Sequence, residues 1–329
     1  MNDSLEPFVP EILEKLGAEA ILESHKIQSL WSNYGGIYRL TFKGAKVPSV
    51  VVKCILLQEN MHHPRGWSGN QSHQRKLKSY FIENYWYVNY VSSLPQSVKV
   101  PQLLYSKQQG NVQVLMLEDL SIFYPHLKQT CTYNEAKAVV KWLAAFHAHS
   151  LNTSTVGLWQ TGSYWHLGTR PDEWSAMEES PLKRKAKELD RMLSSSKFQT
   201  IIHGDAKVAN FCFGDDDEVA AVDFQYVGAG IGVKDVAYFI GSCFNGDACT
   251  LYESSLLDYY FEQLIHFAKQ LNPLERTALE KEWRDLYPVA WADFNRFLLG
   301  WMPNHQKLHH HALSKNEEAL KFLESRKVN

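Results

Sequence analysis

The sequence predicts an α+β protein with two lobes, a small N-terminal lobe built on an antiparallel sheet and a larger, mainly helical C-terminal lobe. Apolar, β-branched stretches alternate with short polar turns as far as residue 117. Helical periodicity dominates from Thr132 onward. The chain has 329 residues, 45% of them hydrophobic, which is enough to bury a core that divides between two lobes.

The N-terminal lobe is predicted to contain two helices and four strands. The strands form two hairpins, because each pair is separated by a short polar turn that contains Gly44 or Gly110. The predicted helices are residues 10–23 and 72–91. The predicted strands are residues 37–42, 48–57, 103–106 and 112–117.

The C-terminal lobe is predicted to begin with a helix whose start is marked by Thr132 and Glu135, the spacing of a capping box. An irregular stretch over residues 151–197 contains a charged helix over residues 182–193. Two or three helices follow from Leu251. The irregular stretch is rich in tyrosine and tryptophan, which either pack against the helices or line a substrate site.

Charge and composition exclude several classes of partner. The 34 basic and 36 acidic residues nearly cancel, so no global positive field favours nucleic acid or an anionic membrane. The first ten residues lack the pattern of a secretory signal, and no apolar run is long enough to cross a bilayer. We therefore expect a cytoplasmic protein with no nucleic-acid or membrane partner; the sequence assigns no oligomeric state.

Cysteines and histidines give little reason to expect a metal cluster. The five cysteines are an odd number without a Cys-x-x-Cys pair, which argues against disulfides and structural zinc. His305 and His309 would share one face of a helix, with His310 and His311 beside them. A solvated histidine-rich turn is the alternative that we favour, because no acidic ligands cluster there.

Two further patterns have both structural and functional interpretations. Trp283, Tyr287, Trp291 and Phe294 recur at helical spacing, which is typical of a helical core but would also suit a cage for a cationic substrate. The acidic run over residues 214–218 resembles a calcium loop only in composition, and we interpret it as the tip of a hairpin.

The chemistry is carried by a short polar segment between apolar flanks. Asp205 follows His203 and Gly204, and Asn210 lies five residues further on, as in the catalytic loop of protein kinases. In that loop the carboxylate accepts the proton of the attacking hydroxyl, and the amide oxygen binds magnesium without adding charge beside the triphosphate. Asp223 ends an apolar strand 13 residues after Asn210 and is a candidate second metal ligand.

Together these motifs resemble the aminoglycoside and choline phosphotransferase superfamily, and within it the ecdysteroid kinase-like branch. The resemblance rests on His203 to Asn210, on Asp223-Phe224-Gln225 and on the helix start that contains Asp235. It implies a bilobal protein kinase-like fold, ATP as donor, Mg²⁺ as metal and a small-molecule hydroxyl as acceptor. The implied domains are a nucleotide-binding lobe (1–117), a hinge (118–120) and a helical catalytic and substrate-binding lobe (121–329).

The resemblance also implies a nucleotide site in the N-terminal lobe. Lys53 lies inside an apolar strand, where a charge needs a partner, and Glu83 on the long helix resembles the glutamate that pairs with the phosphate-binding lysine. Solvation of both side chains is the alternative. Gly35 and Gly36, in the segment 32–37, occupy the place of a phosphate-covering loop or of a plain turn. The hinge that meets adenine would include Glu118 and Leu120.

Three residues modify the catalytic motif. Lys207, two residues after Asp205, either neutralises charge on the transferred phosphoryl group or points to solvent. Gln225 stands where protein kinases have glycine, which argues against a mobile activation segment. Asp235, together with His203, is expected to support the catalytic loop, although a plain helix cap is also compatible with its position.

The leading hypothesis is a small-molecule kinase that uses ATP and Mg²⁺, with Asp205 and Lys207 at the reacting centre and Asn210 and Asp223 on the metal. A choline, ethanolamine or aminoglycoside kinase is an alternative with a cationic acceptor. A nucleotide-binding pseudokinase that acts as an interaction module is the alternative of another class.

Overall fold

Two units make up the chain. The computed structural model describes residues 3–30, 34–57, 69–215 and 217–326. The first unit combines Met1–Ser93 with Val100–Phe123, and the second combines Leu94–Lys99 with Tyr124–Asn329. The first unit is mostly sheet and the second mostly helix, so the predicted α+β class is confirmed.

In the described part of the first unit, five antiparallel strands form one sheet in the order β1-β2-β3-β5-β4. Its core combines alternate residues of β2 and β3, such as Leu40 and Val52, with Phe8 and Ile12 from the N-terminal helical segment. The elements in chain order are α1 (Val9–Leu16), β1 (Ala20–Ser29), β2 (Gly35–Lys43), β3 (Ser49–Leu56), α2 (Gly69–Asn89), β4 (Leu103–Gln109) and β5 (Val112–Glu118).

The helix predicted over residues 10–23 is wrong in its second half. Helix α1 ends at Leu16, because Gly17 adopts a left-handed conformation with φ of 61° and closes the helix. The chain then enters β1, which hydrogen-bonds only to β2 and leaves most of its residues exposed. An edge strand of this kind lacks the alternation of apolar residues that marks a buried strand. The sheet therefore has one more strand than the sequence predicted.

The second unit surrounds a few short strands with helices. Strands β7 and β10 pair with each other, and β6, β8 and β9 form a second small antiparallel sheet. Helix α3 packs on α7, and α8 packs on α5, α6 and α9. The elements in chain order are β6 (His126–Leu127), α3 (Tyr133–His149), α4 (Pro171–Ala176), α5 (Pro181–Ser194), β7 (Thr200–Ile202), β8 (Phe211–Phe213), β9 (Val219–Ala221), β10 (Gly228–Gly230), α6 (Val233–Cys243), α7 (Gly246–Phe267), α8 (Pro273–Trp301) and α9 (His310–Ser325).

Several local predictions for this unit are confirmed. Thr132 and Glu135 form a complete capping box at the start of α3. The acidic run bridges β8 and β9, with Gly214 N donating to Glu218 O at 2.9 Å, as expected of a hairpin tip; Asp216 of this run lies outside the described residues. The aromatic stripe of α8, from Trp283 to Phe294, is at most 3% exposed and belongs to the core.

The histidine-rich segment does not present its side chains on one helix face. His305 precedes α9, and His309 caps that helix by accepting a hydrogen bond from Ala312 N at 3.1 Å. His311 lies 3.0 Å from Glu253. Within the described ranges, no group of three or more His, Cys, Asp or Glu side chains is arranged to hold a metal ion. Of the helices in residues 3–326 that the structure describes, none is long and apolar enough to cross a membrane.

Candidate active site

The loop that follows β7 is shaped by Gly204. Its φ is +75°, and a Cβ atom there would lie 2.2 Å from the carbonyl oxygen of Tyr226 and 2.7 Å from the nitrogen of Ser163. Any side chain would therefore displace backbone on two sides, in addition to the strain of a left-handed conformation. Glycine lets the chain turn sharply out of β7 and present Asp205.

His203 ties the two halves of the motif together. Its side chain is completely buried. Nδ1 accepts a hydrogen bond from Asp205 N at 3.3 Å, and Nε2 donates to the carbonyl oxygen of Val222 at 3.0 Å. Because a carbonyl oxygen can only accept, Nε2 carries the hydrogen. The imidazole thus links the start of the catalytic loop to the residue before Asp223.

Asp235 holds the same loop by its backbone. One carboxylate oxygen accepts from His203 N at 2.6 Å and the other from Gly204 N at 3.0 Å. Asp235 lies in the first turn of α6, whose N-cap residue is Gly232, and its carboxylate is committed to the loop rather than to capping the helix. His147 of α3 lies 3.2 Å from the same carboxylate. The structure thus brings together the two residues that were predicted to support the loop.

Asp205 is buried, with 6% of its surface exposed, and its two oxygens differ. Oδ2 lies 3.1 Å from Lys207 Nζ and 3.1 Å from Asn210 Nδ2. Oδ1 is buried and has no hydrogen-bond partner among the residues that the structure describes. Burial raises the pKa of Asp205, and the nearby charge of Asp223 adds to this effect, while Lys207 opposes it. The Tyr238 hydroxyl also interacts with this carboxylate. A carboxylate with one anchored oxygen and one that lacks a close hydrogen-bond partner can accept a hydrogen bond from a further group.

The backbone of Asn210 is hydrogen-bonded to the residue before Asp223. Asn210 O accepts from Val222 N at 2.9 Å, and Asn210 Nδ2 donates to Asp205 O at 2.8 Å, so the amide oxygen is left to accept. Asp223 has a φ of +66°, a strained conformation for a residue with a side chain. Gln225 Nε2 donates a hydrogen bond to its carboxylate.

These residues fit a magnesium ion. Mg²⁺ binds oxygen ligands and usually takes one or two from the protein, with phosphates and water completing its shell. The Asn210 amide oxygen and the Asp223 carboxylate are oxygen groups of this kind and would suit such an ion. Asp205 and Asp223 are close enough for their like charges to raise the pKa of Asp205, and a divalent cation would offset that repulsion.

Lys207 is directed at Asp205 and is not a purely solvated side chain. Its side chain is 37% exposed while its ammonium group forms an ion pair with Asp205 Oδ2. Burial would lower the pKa of Lys207, but Asp205 and Asp223 outweigh burial and raise it. A permanent positive charge therefore lies beside both carboxylates.

In the first unit, Lys53 and Glu83 form a buried ion pair. Nζ of Lys53 in β3 lies 2.5 Å from Oε2 of Glu83 in α2, and both residues are at most 5% exposed. The Lys53 ammonium also lies 5.5 Å from the ring centroid of Tyr80. The structure thus brings together the two residues that were expected to pair. The alternative prediction, that both side chains are solvated, is wrong.

Gly35 and Gly36 open β2 beside Lys53. In the register of the sheet, Gly36 pairs with Cys54. Gly35 has a φ of +118°, and a Cβ atom there would lie 2.0 Å from the carbonyl oxygen of Cys54, so β3 itself requires glycine at this position. Ser32 and Asn33 of the predicted phosphate-covering segment lie outside the described residues. The phosphate-binding role of the two glycines stays a prediction.

The predicted hinge contains a polar anchor that the sequence did not reveal. Asp119, between Glu118 and Leu120, accepts hydrogen bonds from Arg39 Nε and Ser49 Oγ, each at 2.7 Å. Burial would raise the pKa of Asp119, but these hydrogen bonds outweigh burial and lower it. Glu118 accepts from Gln102 N, and Leu120 is buried. The contact of this segment with adenine stays a prediction.

The sequence motifs do not single out two tyrosines that lie near Asp205. Tyr164 lies in the irregular stretch, and its backbone nitrogen donates to Gly204 O at 3.2 Å. Its hydroxyl lies 3.2 Å from that of Tyr238 in α6. Burial raises the pKa of both hydroxyls, and the Asp205 carboxylate contributes to both shifts. Of the two interpretations of the irregular stretch, packing applies to the buried Trp159 and Trp165, whereas Tyr164 lies at the site.

Comparisons with known proteins agree with this arrangement. Residues 169–273, which include the catalytic loop, Asp223 and Asp235, match the Ecdysteroid kinase-like family. A comparison with curated protein sequences found no match. Choline kinase from Cryptosporidium parvum Iowa II is similar in structure, with a TM-score of 0.54 and 11% identity over 98% of this chain and 95% of that one. Amicoumacin kinase hAmiN, solved with AMP-PNP, Ca²⁺ and Ami, gives a TM-score of 0.51 and 13% identity over 99% of this chain and 96% of that one.

At such low identity the two solved structures establish only the fold. The family match concerns the sequence of the segment that contains the motifs, residues 169–273. Both comparison proteins are kinases of small molecules by their descriptions, and both cover nearly the whole chain. The protein kinase-like fold and the resemblance predicted from the sequence are therefore confirmed, and residues 169–273 are similar to the Ecdysteroid kinase-like family.

Proposed function

We propose that this protein transfers the γ-phosphoryl group of ATP to an alcohol hydroxyl of a small molecule. The observation that carries the proposal is the asymmetry of Asp205. Its Oδ2 is anchored by Lys207 and Asn210, while its buried Oδ1 has no hydrogen-bond partner among the described residues. A buried carboxylate oxygen left in this way is suited to accept the hydrogen bond of an incoming hydroxyl.

In the proposed reaction, the hydroxyl oxygen of the acceptor attacks the γ-phosphorus, and the bond between that phosphorus and the bridging oxygen of ADP breaks. The proton of the hydroxyl passes to Asp205. Lys207, ion-paired with Asp205, would stabilise negative charge that develops on the transferred group. The products are a phosphate monoester and ADP.

Donor binding is assigned to two sets of residues. Asn210 and Asp223 would hold Mg²⁺, which neutralises charge on the phosphates when it is bound. Lys53, oriented by Glu83, would contact the phosphates of ATP, with Gly35 and Gly36 nearby in the same sheet. Glu118 and Leu120 are assigned to the segment that meets adenine.

The decisive experiment is a magnesium-dependent screen of hydroxylated metabolites, with ADP formation and the mass of the phosphorylated product as readouts. Wild type and Asp205→Asn are compared. The variant should lose at least about 100-fold in kcat, the usual contribution of a positioned base, while it still binds Mg-ATP. Asp247→Asn is a matched control, because that side chain is 94% exposed on α7.

Two outcomes would contradict the proposal. Equal turnover of an acceptor by wild type and by Asp205→Asn would remove Asp205 from the reaction. Binding of Mg-ATP without transfer to any acceptor in the screen would favour the pseudokinase alternative. The alternative with a cationic acceptor has lost its main support, because the aromatic stripe of α8 is buried in the helical core.

A further inference from the structure

Lys307 is a cation with no anionic group within 4.0 Å among the described residues. It lies between α8 and α9, half-buried, with its ammonium group 4.8 Å from the ring centroid of Tyr238 and 5.8 Å from that of Phe294. Its ammonium makes no hydrogen bond and no ion pair within 4.0 Å in the part of the chain that the structure describes. Three other lysines that are buried or half-buried each have a carboxylate: Lys53 pairs with Glu83, Lys234 with Asp293 and Lys315 with Glu253.

Contacts lead from Lys307 to the catalytic loop. The Tyr238 ring that lies under the ammonium carries a hydroxyl 3.2 Å from that of Tyr164. The backbone nitrogen of Tyr164 in turn donates to Gly204 O, next to Asp205. Lys307 therefore lies on the same side of Asp205 as Tyr164 and Tyr238.

Burial without a carboxylate is unfavourable for an ammonium group. Burial lowers the pKa of Lys307 to about 8, and neighbouring Lys207 adds to this effect, while Asp205 and Cys243 oppose it. Oδ2 of Asp205 is already bonded to Lys207 and Asn210, the carboxylate lies more than 4.0 Å from the Lys307 ammonium, and the aromatic face of Tyr238 compensates the charge only in part. An anion placed against Lys307 would offset the cost of burying its charge.

We propose that Lys307 binds an anionic oxygen group of the acceptor, so that the preferred acceptor is a hydroxylated acid with an apolar body against Tyr164 and Tyr238. This inference rests on the proposed function, because the bound molecule is an acceptor only if the protein transfers a phosphoryl group to it. A cationic acceptor would be repelled by the same ammonium group. A carboxylate and a sulfate monoester carry the required oxygen anion, and the experiment separates them.

The test uses binding as well as turnover. Hydroxylated carboxylic acids and their primary amides are compared by equilibrium dialysis with the full chain, and sulfate monoesters form a second arm. Wild type should bind at least one acid at least about tenfold more tightly than its amide, the factor that corresponds to ~1.4 kcal/mol. Lys307→Met should abolish that preference, and Lys307→Arg should retain it. Lys321→Met is the matched control, because Lys321 is exposed on α9.

The outcomes separate this inference from the proposed function. If wild type binds neither a carboxylic acid more tightly than its amide nor any sulfate monoester, or if folded Lys307→Met keeps the preference, the inference is overturned. If the sulfate monoesters bind in a way that depends on Lys307 and the carboxylic acids do not, the site is supported, with a sulfate group as its anion. If the acid preference is found and depends on Lys307 but no bound acid is phosphorylated with Mg-ATP, the anion site stands and the proposed kinase function fails.

Discussion

His147 and Asp235 meet where both side chains are completely buried. Nε2 of His147 lies 3.2 Å from Oδ2 of Asp235, which also accepts a hydrogen bond from His203 N. Because a carboxylate oxygen can only accept, Nε2 of His147 carries the hydrogen. The Tyr260 hydroxyl lies 2.8 Å from the other ring nitrogen. The catalytic loop is thus held through a chain of side chains from α3, α6 and α7.

We predict that Asp235→Asn lowers kcat about 100-fold, because a small displacement of the loop misplaces Asp205. The amide nitrogen of the new side chain cannot accept the hydrogen bond of either loop N–H. Steady-state kinetics and hydrogen exchange at the amides of His203 and Gly204 provide the measurements. Faster exchange at these amides with the helical content retained is expected. Unchanged exchange and unchanged kcat would show that Asp235 does not position the loop.

The Lys53–Glu83 pair allows structure and nucleotide binding to be separated. Lys53→Met should lower the free energy of unfolding by about 3–5 kcal/mol, because it removes the ammonium partner of the buried Glu83 carboxylate. Adding Glu83→Gln should recover much of that loss, since an amide is less costly to bury than a charge. Denaturant unfolding measures both changes.

Catalysis should respond differently to the same pair of variants. The proposed contact of Lys53 with the phosphates is lost in both the single and the double variant, so kcat/KM for ATP should stay low when stability returns. Recovery of kcat/KM in the double variant would mean that the pair is structural only. Lys43→Met is a suitable control, because Lys43 lies at the end of β2 with a side chain that is 66% exposed.

We expect the Asp205 carboxylate to lower the stability of the folded state. Its carboxylate is buried with one oxygen lacking a partner among the described residues, and desolvating a charge is costly. Asp205→Asn should therefore raise the unfolding temperature in magnesium-free buffer while it abolishes transfer. Thermal unfolding followed by circular dichroism measures this effect. A lower unfolding temperature would indicate that the Lys207 and Asn210 contacts outweigh desolvation.

Asp293 provides a pH-dependent contribution to stability. Burial would raise its pKa, but Lys234 and Arg296 lower the pKa to about 2. A depressed carboxyl pKa stabilises the fold at pH values above the unfolded pKa, near 4, and this stability is lost as the pH falls toward 2. The shift corresponds to about 2 kcal/mol. Urea unfolding of wild type and Asp293→Asn should show a large difference at pH 7 that shrinks toward pH 2; a constant difference would contradict this.

The acid preference assigned to Lys307 should also depend on pH. With its pKa lowered to about 8 by burial, Lys307 loses its charge as the pH rises through that value. Binding of an acid relative to its amide should therefore weaken between pH 7 and pH 9. Lys307→Arg should keep the preference over this range, because a guanidinium stays charged. A preference in wild type that does not change with pH would contradict the lowered pKa. The charged and titratable groups near Lys307 are Asp205, Lys207, Tyr238, Cys243 and His305.

Sequence patterns predicted the buried strands, the long helices and the capping box at Thr132, because these depend on spacing between near neighbours in the chain. They missed β1, an edge strand whose exposed residues carry no alternation. They also missed Asp119 with Arg39, since nothing local marks an aspartate that is bonded to a residue 80 positions away.

The amino-acid sequence alone determined the reaction type that we propose, because Asp205, Asn210 and Asp223 lie within 19 residues and their roles depend on residue type and spacing. Tertiary structure alone decided what surrounds Asp205. Tyr164, Tyr238 and Lys307 come from three distant segments, and they meet only because the helices of the second unit pack together. The physical reason is that a loop motif is encoded by local geometry, whereas an acceptor site is assembled by long-range packing.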